Sequence, residues 1–214
     1  MFKFHDVEQN TDEWMQLRCG KLTSSPIGKV MANYGKPFGD PAKQMAVNIA
    51  IEQITGKKIE SNYSNAHMER GHEQEPLARQ LYEETTFNEV TNGGFFETDT
   101  VGCSPDGLVG DDGVIEIKAV IAHVHFANIK RMNVDPAYRW QCISNVKYTG
   151  RKWIDFVSYC ADFPEDMQLF VYRLYAKDLV EEFGQIDYRV SQYLSYVHEV
   201  REKILETNYV NIGN

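Results

Sequence analysis

The stretch from Cys103 to Lys118 constrains the fold more than any other part of the chain. Cys103-Ser104-Pro105-Asp106-Gly107-Leu108 is followed by Gly110-Asp111-Asp112-Gly113 and then by Val114-Ile115-Glu116-Ile117-Lys118. Glycine and aspartate between two apolar runs predict a β-hairpin. Side chains alternate across a strand, so Glu116 and Lys118 are expected on one face, with Ile115 and Ile117 pointing into a core. Folding the hairpin brings Asp106 back beside Glu116, and two carboxylates and an ammonium group converge.

That arrangement suits phosphodiester hydrolysis. The reaction needs a nucleophile made from water near neutral pH and charge stabilisation at phosphorus, which divalent ions supply, in some sites as a pair ~4 Å apart. Mg²⁺ prefers carboxylate, carbonyl and water oxygens. Asp106, Glu116 and the Ile117 carbonyl provide that set, and Lys118 provides a cation for the attacking water or the developing charge. Spacing alone also fits a hairpin with a solvated cross-strand ion pair, which is worth little. A phosphate loop of the G-x-x-x-x-G-K-[ST] kind and an H-E-x-x-H zinc helix are both missing. His123-Val124-His125 has no cysteine or carboxylate cluster beside it and is read as structural.

Composition narrows the setting. With 214 residues, the chain is read as one α/β domain spanning 1–214, large enough to bury a sizeable core. No run approaches the roughly 18 apolar residues of a membrane span, and Met1 to Asp6 has no apolar leader core. The four cysteines are scattered and form no C-x-x-C pair, which favours a reducing cytoplasm. The net charge is -9, yet residues 118–152 hold seven basic residues (Lys118, Lys130, Arg131, Arg139, Lys147, Arg151, Lys152) against Asp135 alone. A phosphate backbone responds to where charge sits rather than to the total.

Around the hairpin the chain reads as helices and strands. Thr11 caps a short helix with Asp12 and Glu13 in its first turn. Arg18 lies at i+4 from Trp14 and so shares its face. Ser25-Pro26 reads as N-cap and N1 of a further helix, offering hydroxyls and free N–H groups to an anion. Asp40 to Thr55 is helical, with Met45, Ile49 and Ile54 inward, and residues 57–66 are loop-like. His72 to Thr86 is helical and puts Glu75 at the edge of an apolar stripe, where it is either paired with Arg79 at i+4 or a site residue. Phe95–Cys103, Lys152–Cys160 and Met167–Ala176 are β-rich. Ala122 to Met132 is helical, and Asp135-Pro136 starts a helix that carries Tyr138, Gln141, Cys142 and Asn145. Asp178 to Asn208 is a long helix with a break expected near Gly184.

Pro105-Asp106 with Glu116-x-Lys118 resembles the PD-(D/E)xK nuclease superfamily. More closely, the chain is similar to the lambda exonuclease-like family of viral recombinases. Four ordered blocks carry the resemblance from about Trp14 to the C-terminal helix: Trp14-x-x-Leu17-Arg18-x-Gly20-x-x-Thr23-x-Ser25, Gly71-x-x-x-Glu75-x-x-Ala78-Arg79, the Cys103 to Lys118 core, and Tyr138-x-x-Gln141.

The resemblance implies a restriction-endonuclease-like core with a central mixed β-sheet flanked by helices. It implies Asp106, Glu116, Ile117 and Glu75 as metal-site residues, Lys118 as the catalytic lysine, Gln141 in support and Tyr138 one turn away. Arg18 and Ser25 match a pocket for a 5′-phosphate. The family activity is Mg²⁺-dependent (with Mn²⁺ as substitute) 5′-to-3′ degradation of linear double-stranded DNA. A homotrimeric ring, a single-strand annealing partner and a phage or prophage gene acting in the bacterial cytoplasm are further implications. An endonuclease on the same core and a DNA-end-binding module without catalysis are the alternatives. Ser24, Pro26 and the loop from Gly56 to Met68 depart from the family pattern.

Overall fold

A computed structural model describes residues 2–59 and 66–207, without the side chains of residues 66–69 and of His72. The part of the 56–68 loop at 60–65 and the expected helix end at Asn208 lie outside the described residues. In chain order the elements are β1 (Lys3–His5), α1 (Asp12–Leu17), β2 (Leu22–Thr23), α2 (Ile27–Met31), α3 (Asp40–Thr55), α4 (Ala66–Thr86), β3 (Val90–Thr91), β4 (Phe95–Glu97) and β5 (Val101–Cys103). They continue with β6 (Gly107–Val109), β7 (Gly113–Ala119), α5 (Ala122–Arg131), α6 (Arg139–Thr149), β8 (Trp153–Tyr159), β9 (Leu169–Tyr175) and α7 (Val180–Glu206).

The strands form two mixed sheets, ordered β1-β4-β5-β2 and β3-β6-β7-β8-β9. In the larger sheet β7 runs antiparallel to β6 and parallel to β8, so the hairpin expected at Gly110–Gly113 feeds the central strand. A central strand covered on both faces reads as a continuous apolar run. Ile115 and Ile117 pack with Val157, Tyr159, Ala78 and Tyr82 on the α4 side. Val114 packs with Ile154 and Phe156 in the larger core, which also contains residues of α3, α6 and α7. Glu116 is fully buried, so the alternative of a solvated cross-strand ion pair is not what forms.

Other boundaries also shift. Thr11 caps α1 as expected, accepting from the Trp14 N–H at 3.3 Å. Ser25 does not cap α2: the helix spans only Ile27–Met31, Pro26 occupies its N-cap, and no side chain bonds the cap. In α3 Ala42, Ala46, Ile49, Ala50 and Glu52 are buried and Met45 is half-buried against the same core, while Ile54 is exposed. Asp135 to Tyr138 form a turn, with the Tyr138 N–H bonded to the Asp135 carbonyl, and α6 starts at Arg139. α4 begins at Ala66, earlier than expected, and α7 runs through Gly184 without a break. Leu179, Ile186, Val190 and Val197 are buried, as the periodicity of α7 requires.

Candidate active site

The hairpin sets Asp106 opposite Glu116, because Gly107 pairs with Ile115 in the register. The Asp106 N–H donates to the Ile115 carbonyl at 3.1 Å, and the Ile117 N–H donates to Asp106 Oδ2 at 2.6 Å. Backbone thus fixes both the position of Asp106 and the orientation of its carboxylate. The turn before it is held from two directions. Gln9 donates to the Pro105 carbonyl at 3.0 Å. Gly93 lies so close that a Cβ there would come within 1.8 Å of that carbonyl oxygen, so only glycine fits.

Glu116 lies beneath the cleft surface with both oxygens engaged. Lys118 and Gln141 donate to Oε1, and Asn145 donates to Oε2 at 2.7 Å. Gln141 and Asn145 are one helical turn apart on α6 and so meet the same carboxylate. The Lys118 ammonium also lies 5.2 Å from the centre of the Tyr138 ring. On α4, Glu75 faces the same cleft. Arg79 donates to the Val90 carbonyl rather than to Glu75, so the expected alternative of a Glu75–Arg79 pair is not what forms.

Residues near the N-terminus complete the cleft. The Arg18 guanidinium lies 4.0 Å from the Trp14 ring centre, a cation–π stack produced by the i, i+4 spacing. Its Nη2 also bonds Thr23 Oγ1 at 3.4 Å. Trp14 donates from Nε1 to Ser104 Oγ at 2.8 Å, and Ser104 donates to the Gly94 carbonyl at 2.6 Å. Arg18, Ser25, Glu75, Asp106, Lys118 and Gln141 line one cleft of about 510 Å³, with Ile117 and Tyr138 also on its wall.

The electrostatics are those of a crowded carboxylate group. Burial, then the Asp106 charge, pushes Glu116 up to about 8. Burial and Asp106 push Glu75 up to about 7. Burial raises Asp106 too, against the pull of Lys118 and the Ile117 N–H. Burial alone would lower Lys118, but Glu116 and Asp106 hold it above its ordinary value, so the ammonium stays charged. Burial lowers Arg18 to about 10, which still leaves it cationic at neutral pH.

This donor set fits a hard divalent cation. Burial raises all three carboxyls, and the Asp106 charge raises Glu116 and Glu75 further; a divalent charge nearby would favour the ionised forms of all three. Among the described residues, no three His, Cys, Asp or Glu side chains meet closely enough to cage one ion. Mg²⁺ suits such a site, because it is bound through one or two carboxylates and keeps several waters. Asp106 with one of Glu116 or Glu75, together with the Ile117 carbonyl, would supply its protein oxygens.

The structure gathers every residue singled out from the sequence, with Glu116 just under the cleft and the rest on its wall. Three further residues take part: Asn145 on Glu116, Ser104 between Trp14 and Gly94, and Gln9 on the Pro105 carbonyl. The sequence places Asn145 at i+4 from Gln141 without giving it a role. The basic segment is no continuous strip. Arg139 pairs with Glu182, Lys147 with Asp187 and Lys152 with Asp112. His125 is buried, with Nδ1 at 2.9 Å from Ser158 Oγ and Nε2 at 3.0 Å from the Met167 carbonyl, while His123 is exposed. They form no metal pair.

Known proteins resemble the chain in sequence and fold. The chain is similar to the alkaline exonuclease LHK-Exo from Laribacter hongkongensis, at 34% identity and a TM-score of 0.80 over 91% of this chain and 96% of that one. A structure of LHK-Exo in complex with dAMP matches at 33% identity and a TM-score of 0.77, over 92% of this chain and 99% of that one. A phage-related exonuclease from Haemophilus somnus 129PT shares the fold, at 16% identity and a TM-score of 0.69, over 89% of this chain and 99% of that one. A search of curated proteins gives no match. These neighbours place the chain in the restriction-endonuclease-like fold and among the exonucleases. The model of the YqaJ-like viral recombinase domain matches residues 13–152, more than half of the chain, and the protein belongs to that family.

Proposed function

We propose that the protein is a Mg²⁺-dependent exonuclease acting on linear double-stranded DNA from the 5′ end, releasing mononucleotides and leaving a 3′ single strand for recombination by strand annealing. One observation carries the reading: a single cleft joins the Asp106, Glu75 and Lys118 groups to Arg18 and Ser25. The first set suits the scissile phosphate. The second suits another phosphate of the same strand, as the end of a strand would present it. The dAMP complex of LHK-Exo supports a mononucleotide product.

A bound Mg²⁺ or Mn²⁺ supplies an activated water and neutralises charge at phosphorus. The protein groups do the rest. Asp106 is aimed by the Ile117 N–H, and Glu116 is oriented by Gln141 and Asn145. Lys118 stays protonated and faces the attacked phosphate, where its charge is worth more than in water. Arg18, flattened on Trp14, and the Ser25 hydroxyl bind the 5′-phosphate. A homotrimeric ring around DNA, a single-strand annealing partner and action in the host cytoplasm as one domain follow from the resemblance. No described helix is long and apolar enough to cross a membrane.

The test uses Mg²⁺ with linear duplex labelled at either its 5′ or its 3′ ends, beside a covalently closed circle. Early release of the 5′ label as mononucleotide, with the circle intact, is expected. Cutting of the circle would make the protein an endonuclease.

A further inference from the structure

The cleft that holds Asp106, Lys118 and Arg18 does not end at Ser25. Ser25 and Ala137 also line a second depression of about 520 Å³, whose walls include Pro26, Gly28, Lys29 and Asn33. At its other end the cleft continues, through Gln9, Asn10, Glu75 and Asp106, into a groove of about 280 Å³. The two extensions differ in charge. Beyond Asp106, Glu8, Glu75 and Asp106 face Arg79. Beyond Ser25, Lys29 is the charged residue on the wall, and no carboxylate lines the depression among the described residues. A phosphodiester chain is therefore favoured on the Ser25 side.

We propose that this depression is a nucleotide subsite upstream of the 5′-phosphate anchor, and that it lets the enzyme start on a DNA end bearing an unpaired 5′ nucleotide by releasing a dinucleotide. The inference rests on the reading of Arg18 and Ser25 as that anchor. Its volume lies within the roughly 300–1,000 Å³ of small-ligand sites. Pro26 and Ala137 offer apolar surface to a sugar or base, and Lys29 offers an exposed ammonium to the backbone.

The anchored phosphate is then a diester that carries one more nucleotide on its far side. At the next phosphate downstream, water attacks phosphorus and the bond to the 3′ oxygen breaks. That oxygen takes up a proton and leaves as the 3′-hydroxyl of the dinucleotide. The oxygen from water stays on the new 5′-phosphate of the shortened strand.

Two variants test the subsite without touching the cleavage residues. Gly28→Leu projects into the depression, since a Cβ at Gly28 meets no atom within 4 Å. Lys29→Glu reverses its charge. The substrate is a duplex with one unpaired 5′ nucleotide ending in a hydroxyl and radiolabelled in its first phosphate, so the only phosphate available to the anchor is internal. The wild type should release a labelled dinucleotide first. Each variant should lower that yield about tenfold or more, while degrading blunt 5′-phosphorylated duplex at the wild-type rate. A mononucleotide as the first labelled product, following release of an unlabelled nucleoside, would overturn the subsite, as would unchanged dinucleotide yield in both variants or equal loss on both substrates. Failure of the anchor itself looks different: blunt 5′-phosphate and 5′-hydroxyl ends would be degraded alike.

Discussion

The Trp14 indole N–H donates to the Ser104 hydroxyl at 2.8 Å, tying the helix that presents Arg18 to the residue two before Asp106. Ser104 passes the bond on to the Gly94 carbonyl at 2.6 Å. One hydroxyl therefore sets the spacing between the guanidinium proposed to hold the strand end and the carboxylates proposed to cut it. Ser104→Ala leaves the indole N–H and the Gly94 carbonyl without their partner. It should cost about 1–3 kcal/mol of stability, measured by denaturant unfolding, and should shrink the rate advantage of 5′-phosphorylated ends. A fully stable variant with unchanged end preference would show that the bond does not set this spacing.

Asn145 holds the second oxygen of Glu116. Groups that orient a metal ligand are typically worth roughly 10–100-fold in metal affinity or activity. Asn145→Ala should lose activity on that scale, with DNA binding close to wild type in a filter or anisotropy assay, and should need more Mg²⁺ for half-maximal rate. Wild-type Mg²⁺ dependence would remove Asn145 from the site.

The core residues should behave differently from their supports. Asp106→Ala, Glu116→Ala and Lys118→Ala should each abolish cleavage while duplex binding in Ca²⁺ or EDTA stays largely intact. Full activity in any one of them would remove that residue from the reaction.

The raised carboxylates predict how stability changes with pH. Glu116 stands at about 8 and Glu75 at about 7 in the folded protein, against 4.5 as the ordinary value. The folded state therefore holds protons that the unfolded state has released. Their contribution to stability is fully present below about pH 4.5 and is lost as pH rises through 7 to 8. In EDTA, Tm should fall from pH 5.5 to 8.5, and less steeply in Glu116→Gln. Mg²⁺ binds the deprotonated carboxylates, so it should raise Tm at pH 8.5 far more than at pH 5.5. A Mg²⁺ effect independent of pH would contradict the assignment of these carboxylates.

Much of the site was legible because it is local. The turn Gly110–Gly113 fixes the register that sets Asp106 against Glu116, and i, i+4 spacing stacks Arg18 on Trp14. What was not legible depends on distant segments. Glu116 is buried because α6, distant in the chain, lies over it and supplies Gln141 and Asn145 to its carboxylate. The basic run loses much of its free charge to Glu182 and Asp187 of α7, 43 and 40 residues along the chain. Ser25 fails as a helix cap because the Ile27 N–H bonds the Ser24 carbonyl and the helix starts after Pro26. Its place on the cleft wall survives, so the candidate phosphate contact is a hydroxyl beside Arg18 rather than a helix end.

The link between Arg18 and the 5′ end is central to the proposed reaction. Initial degradation rates of the same linear duplex with 5′-phosphate and with 5′-hydroxyl ends, in the wild type and in Arg18→Ala, measure it. The wild type should clearly prefer the phosphorylated end, and Arg18→Ala should lose that preference because the phosphorylated substrate slows. Equal rates on both ends in the wild type, or an undiminished preference in Arg18→Ala, would contradict it.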